Sequence, residues 1–269
     1  MESLLNYPLF SDSLEVCIDS IVQQINTARQ MTTEYEDQYP NKKARSLVCQ
    51  YAACLNPHSY SEAQKDPNFR TALLGARWLL PDGVGIILAS RILRGSIRKR
   101  ITGTDLFTGI CQKINNLGGY RVFFLGSDEE TLSSISRRMA IDYPKITVAG
   151  TYSPPFKTRF SDREIEDMIL AVNNAAPDVL WVAMTAPKQE KWLLEVQHRL
   201  NTPFAGAIGA VFDFYSGGIV RPKLLFQNLG LEWLPRLIQE PRRLYKRMVV
   251  SAPIFLVAVA KEWWKKNIL

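Results

Sequence analysis

The chain has 269 residues, 46% of them hydrophobic, with 33 Lys and Arg against 26 Asp and Glu. That length and composition supply a full core, either as one large domain or as a domain with an appendage. Four cysteines without CxxC spacing and only two histidines, His58 and His198, argue against a zinc site and for reduced thiols in a cytosolic protein. The opening Met1-Glu-Ser-Leu-Leu-Asn-Tyr lacks the basic and long apolar regions of a secretory leader.

After a short N-terminal segment, Leu14 to Met31 is predicted as an amphipathic helix carrying Val16, Ile18, Ile21, Val22 and Ile25. Thr32 to Lys43 reads as polar and turn-like. Ser46 to Leu55 reads as a buried strand that stops at Asn56-Pro57. A helix is expected around Ser61 to Ala76, a turn at Leu80-Pro81-Asp82-Gly83, and an apolar helix over Ile86 to Leu93, followed by the basic stretch Arg94 to Arg100. Strands are then expected at Arg121–Ser127, Ile146–Gly150, Val179–Met184 and Phe204–Val211. Helices over Glu129–Asp142, Asp162–Ala175 and Lys188–Leu200 separate them. Short apolar strands alternating with amphipathic helices imply an α/β fold, a Rossmann-like parallel sheet flanked by helices.

The remainder differs in character. Arg221 to Leu269 contains ten Lys and Arg and three acids, a net of +7 that equals the net of the whole chain. The sequence therefore divides into a neutral α/β body, residues 1–220, and a basic helical appendage, residues 221–269. Within the appendage, Met248 to Ala260 is an apolar run of 13 residues, shorter than the roughly 20 a spanning helix requires. Basic residues flank it and Trp263-Trp264 follow it, a pattern that predicts peripheral contact with an anionic membrane face.

Ligands of open α/β sheets sit outside the carboxyl ends of the strands. Gly126-Ser127, before a helix N-terminus, suits a phosphate or ribose. No GxGxxG follows a strand and no GxxxxGK[ST] occurs, which disfavours a standard dinucleotide site or P-loop. Asp82-Gly83 is either a plain turn or a carboxylate held at a loop mouth as a general base. Arg98-Lys99-Arg100 is either a solvated charge run or a clamp for a diphosphate or sugar carboxylate. At the start of the helix after Pro187, Lys188 and Gln189 would face a ligand while Glu190 serves the helix dipole. His58 reads as a local hydrogen-bonding group.

Together these pieces resemble a known family. Asn56, Asp82-Gly83-Val84-Gly85 and Arg100-Ile-Thr-Gly-Thr-Asp105-Leu come first; Phe124-Leu-Gly126, Gly150…Pro155-Phe156 and Ala186-Pro-Lys-Gln-Glu190 follow. The last are Gly209-Ala-Val-Phe-Asp213, Gly217-Gly…Arg221-Pro and Gly230-Leu-Glu-Trp…Glu240-Pro-Arg-Arg. In this order and spacing, over roughly Val48 to Arg247, they resemble the bacterial WecG/TagA/CpsF glycosyltransferases (glycosyltransferase family 26). The resemblance implies an inverting, metal-independent transfer without a cofactor, from a UDP-sugar donor to a polyprenyl-diphosphate-linked acceptor. Members transfer N-acetylmannosamine, its uronic acid or glucose during cell-surface polysaccharide assembly. It places the base on Asp82 and sugar or acceptor contacts on Asn56, Arg100 and Gln189. Cys54 stands where many members have Thr, so it is counted with the substrate contacts. The nucleotide is expected at Gly126, Ser127, Thr185, Lys188 and Asp213, and the lipid diphosphate at Arg236, Arg243 and Arg247. Pro235 replaces a more usual aromatic residue.

The expected location is the cytoplasmic face of the cell membrane, peripherally bound, with no nucleic-acid partner and homo-oligomerisation left open. Two other classes are the alternatives. A nucleotide-sugar epimerase or dehydrogenase requires the absent dinucleotide fingerprint. A non-catalytic binding protein would hold nucleic acid on its basic tail with a steep salt dependence.

Overall fold

The computed structural model describes residues 1–39, 48–218 and 246–268. Its eight strands are β1 (Glu2–Leu4), β2 (Tyr7–Leu9), β3 (Gln50–Leu55), β4 (Trp78–Pro81), β5 (Tyr120–Gly126), β6 (Ile146–Tyr152), β7 (Val179–Ala183) and β8 (Phe204–Ala207). They form one sheet in the order β1-β2-β4-β3-β8-β7-β5-β6, parallel except for the β1–β2 hairpin.

Strand residues of alternate parity face opposite helix layers, as the two-residue repeat of a strand requires. Tyr51, Ala53, Leu55, Phe123, Leu125, Leu180 and Val182 pack on one side. That layer contains α2 (Pro57–Ala63), α3 (Pro67–Leu74), α4 (Val84–Ile92), α7 (Asp162–Ala175) and α8 (Lys188–Val196). Ala52, Leu80, Val122, Phe124, Val179 and Trp181 pack on the other side, against α1 (Leu14–Gln38), α5 (Gly103–Leu117), α6 (Glu129–Asp142) and α9 (Val211–Tyr215). The sheet is buried on both faces, which is why its strands read as continuous apolar runs.

Several elements differ from the sequence expectation, each for a local reason. Helix α1 runs to Gln38, into the stretch read as a turn; the Thr32 and Thr33 hydroxyls are accommodated there by donating to the carbonyls of Ala28 (2.9 Å) and Arg29 (3.1 Å) one turn back. The helix expected over Ser61 to Ala76 is two. Asn56 caps the first, with Pro57 at its start; Asp66 caps the second by accepting from the Phe69 N–H (3.0 Å), with Pro67 at its start. Trp78–Pro81 is a fully buried strand rather than the approach to a turn. Helix α5 lies in a stretch that had no assigned element; Thr102 and Asp105 close it with a reciprocal capping box. The β1–β2 hairpin was also unassigned. Glu2 on β1 accepts from Ser90 Oγ (2.7 Å), Ser96 Oγ (2.7 Å) and the Ile97 N–H (3.1 Å), which fastens the end of α4 and the basic segment after it.

The described C-terminal part is a π-helical turn, Lys246–Ser251, that leads into α10 (Ala252–Ile268). It packs on α2 and α4. Phe255 and Val259 are buried in the core of that layer, and the Phe255 ring meets Tyr60 edge-on at 5.4 Å. Among the described residues, no helix is long and apolar enough to cross a membrane. The division expected at residues 220 and 221 falls outside the described residues, as do Arg236, Arg243, Pro235 and the side chain of Arg247.

Candidate active site

An open cleft of about 910 Å³ lies at the carboxyl ends of the parallel strands. The β3–β4 register pairs Cys54 with Leu80 and Leu55 with Pro81, so the two residues that follow, Asn56 and Asp82, emerge side by side. The Asp82 N–H donates to the Leu55 carbonyl (2.9 Å), and Asn56 Nδ2 donates to Asp82 Oδ2 (3.4 Å). Asn56 Oδ1 accepts from the backbone N–H groups of His58 (3.0 Å) and Ser59 (2.9 Å) as the cap of α2. One side chain therefore starts a helix and orients the Asp82 carboxylate toward the cleft. His58 lines the cleft too, and its Nδ1 lies 2.8 Å from Ser251 Oγ, so this hydrogen bond ties the cleft to the C-terminal segment instead of serving the local turn.

Across the cleft, Ser127 after β5 and Thr185 after β7 both take left-handed backbone, each with φ +60°, and both line the cavity. Non-glycine residues in this region carry a cost of about 1–3 kcal/mol, which the surrounding structure must offset and which is concentrated at functional loops. Gly126 precedes Ser127 at φ +118°. A Cβ there would stand 2.2 Å from the Ala183 carbonyl, so only glycine permits the β5–β7 approach. Gly126 shapes the turn but is not among the cleft-lining residues. The Ser153 hydroxyl donates to the Ser127 carbonyl (2.8 Å) and ties the loop after β6 to this rim.

Gln189 and Glu190 form the floor, both almost fully buried at the start of α8. Gln189 Oε1 accepts from the backbone N–H groups of Met184 (3.3 Å) and Gly209 (3.1 Å), bridging the ends of β7 and β8. Its Nε2 donates to Glu190 Oε1 (2.9 Å), which fixes the amide orientation and leaves one Nε2 hydrogen. Glu190 Oε2 has no hydrogen-bond partner among the described residues. Burial pushes the Glu190 carboxyl up to about 7, although the Gln189 bond opposes the shift. Glu190 is thus a buried acid in the site, where the sequence assigned it to the helix dipole. Cys54 also lines the cleft; burial first, and then the nearby Asp82 and Glu190 carboxyls, push its thiol well above its ordinary value.

Lys188 and Asp213 line the cleft as well. Lys188 Nζ donates to the Lys157 carbonyl (2.8 Å) and stands 4.8 Å from the Phe160 ring centroid; desolvation lowers its pKa. Arg100 is not among the lining residues. The neighbouring Ile101 N–H donates to the Pro81 carbonyl (2.9 Å), and this bond places Thr102, which does line the cleft, beside the Asp82 turn. Thr102, Thr104, Asp128, Ser153 and Phe156 complete the wall; the sequence assigns none of them a ligand role, although Thr102, Thr104 and Phe156 lie within the motifs that carry the family resemblance. The readable signals for two of them were the Thr-x-x-Asp capping box at Thr102 and the Pro155-Phe156 tract.

Asn56 and Asp82 thus line the cleft beside the ends of β3 and β4, and Ser127 and Thr185 beside the ends of β5 and β7. The profile of the glycosyl transferase WecG/TagA/CpsF family matches residues 19–268. The chain belongs to this family. It is 33% identical over 231 residues to the N-acetylglucosaminyldiphosphoundecaprenol N-acetyl-β-D-mannosaminyltransferase of Bacillus spizizenii (strain W23), covering 86% of this chain and 83% of that one. A Bacillus subtilis (strain 168) protein of the same name is 28% identical over 264 residues, 97% of this chain and 91% of the relative. A Staphylococcus aureus (strain MW2) namesake is 24% identical over 251 residues, 93% of this chain and 94% of the relative. Membership makes the chain a glycosyltransferase, the class that its resemblance implied.

Proposed function

We propose that the chain transfers N-acetylmannosamine, or a closely related hexose, from a UDP-sugar to a saccharide linked to polyprenyl diphosphate. Its three named relatives carry an acceptor of that class in their names. The observation that carries the reading is the Asn56–Asp82 pair opposite the left-handed Ser127 and Thr185 turns, all lining one cleft. In an inverting transfer the Asp82 carboxylate takes the proton of the acceptor hydroxyl. The acceptor oxygen forms its bond to the anomeric carbon as the bond to UDP breaks on the opposite face, and UDP leaves with the electron pair. Backbone N–H groups of the Ser127 and Thr185 turns, with Lys188, supply the positive field for that departing charge. Gln189 offers its remaining amide hydrogen to the sugar, and Asp213 lies on the nucleotide side. The arginines at 236, 243 and 247 are proposed to hold the lipid diphosphate, in a protein bound to the inner membrane face.

The test is UDP release from a panel of UDP-sugars, with a polyprenyl-diphosphate-linked N-acetylglucosamine acceptor in detergent and EDTA. Acceptor-dependent release from UDP-N-acetylmannosamine is the expected outcome. Release with another donor would reassign the sugar; release that needs added metal would remove the metal-independent reading. No release and no UDP binding by folded protein would overturn the proposal.

A further inference from the structure

Among the described residues, an apolar surface that begins beside the cleft lies open. Helix α4 starts two residues after Asp82, and its outward residues Val84, Leu88 and Ile92 are 39%, 50% and 47% exposed. Their spacing of four puts them on a single stripe. Helix α10 packs beside α4. Its inner face is buried through Phe255 and Val259, whereas Leu256, Val257 and Trp264 on the outer face are 60%, 54% and 60% exposed. Side chains of this size left open on two contacting helices mark an interaction surface.

The charges around it indicate the partner. Helix α4 contains no acidic residue, carries exposed Arg91 in its last turn and is followed by exposed Arg94; α10 carries exposed Lys261, Lys265 and Lys266. The one acid of α10, Glu262, lies 4.0 Å from Lys266. A two-fold contact between copies would set this cationic rim against itself. An anionic bilayer neutralises the rim while the aliphatic and indole side chains enter the acyl boundary.

We propose that α4 is a membrane-inserting element in its own right and that, together with the outer face of α10, it seats the cleft mouth on an anionic bilayer. The expected basic tail alone would anchor the protein without fixing where the cleft points. A stripe that starts beside Asp82 sets the candidate base at the bilayer surface, where the headgroup of a lipid-linked acceptor emerges. The functional meaning of this orientation rests on the lipid-acceptor reading above; the surface itself does not.

Co-sedimentation of the full chain with phosphatidylglycerol-containing vesicles tests the proposal. Leu88→Glu with Ile92→Glu is expected to weaken binding at least about ten-fold, the loss that follows when even one aliphatic side chain is withdrawn from an apolar phase. Ile141→Glu, an exposed site on α6 in the opposite helix layer, is expected to leave it unchanged. Undiminished binding by the double variant would assign the membrane contact to the tail and overturn the role of α4. Because glutamates can disturb folding, Leu88→Cys carrying an environment-sensitive bimane gives a second reading, compared with the unsubstituted chain treated identically. A blue shift on adding phosphatidylglycerol vesicles, absent with phosphatidylcholine alone, supports insertion. A label already shielded without vesicles overturns it; sedimentation velocity then separates a second copy from coverage by residues 219–245. Absence of both UDP release and UDP binding in detergent would remove the UDP-sugar and lipid-acceptor reading and leave these vesicle results standing.

Discussion

Asp82 and Asn56 are 26 positions apart, and their contact shows how one side chain can serve both a helix cap, through Oδ1, and a candidate base, through Nδ2. Asp82→Asn keeps the shape and removes the proton-accepting charge. The expected result is a fall in kcat of about 10²–10⁴-fold, the range for loss of a positioned acid or base. Calorimetric UDP affinity should stay at the wild-type value; lost UDP binding would give Asp82 a structural role. Glu190 supports a prediction about pH. Its carboxyl sits near 7 in the fold against an ordinary value of 4.5, so the folded state holds a proton that the unfolded state has released across that window. Stability from this group is full below about 4.5 and is lost as pH rises through about 7, with a slope near 1.4 kcal/mol per pH unit in between. Glu190→Gln retains an acceptor for Gln189 and cannot ionise. Its melting temperature, relative to wild type, should therefore climb between pH 5 and pH 8; a constant difference would show that Glu190 is ionised throughout.

At the scale of elements, caps decided more than periodicity. The Asn56-Pro57 and Asp66-Pro67 pairs both start helices, and a reading that followed only the apolar pattern fused α2 and α3 into one. Helix α10 has two faces with different roles. Phe255→Ala removes a ring buried beside Tyr60 and should destabilise the protein by about 3–5 kcal/mol in urea unfolding. Leu256→Ala, one position along on the exposed face, should stay within about 0.5 kcal/mol. Equal effects would mean that α10 does not dock through Phe255. This docking also bears on truncation: removing the C-terminal residues uncovers core around Tyr60, so activity lost by such a chain would have to be separated from lost stability.

For the whole molecule, the alternation of Val179–Ala183 and its neighbouring strands with amphipathic helices determined an α/β sheet buried on both faces. Adjacent residues alone carry that periodicity. The ordered motifs determined the family, and the charge imbalance set the C-terminal residues apart. Strand order and register were not legible, since they depend on which strands pair across long crossovers, and they decide what the cleft contains. Asn56 meets Asp82 because β3 lies beside β4, and Gln189 reaches Met184 and Gly209 because β7 lies beside β8. Burial was equally hidden: Glu190 looks like any acid in a first helical turn until two layers close over it. The outward stripe of α4 was concealed for the opposite reason. An apolar helix sequence is the same whether or not a neighbour covers it, and only packing shows that Leu88 and Ile92 have been left open.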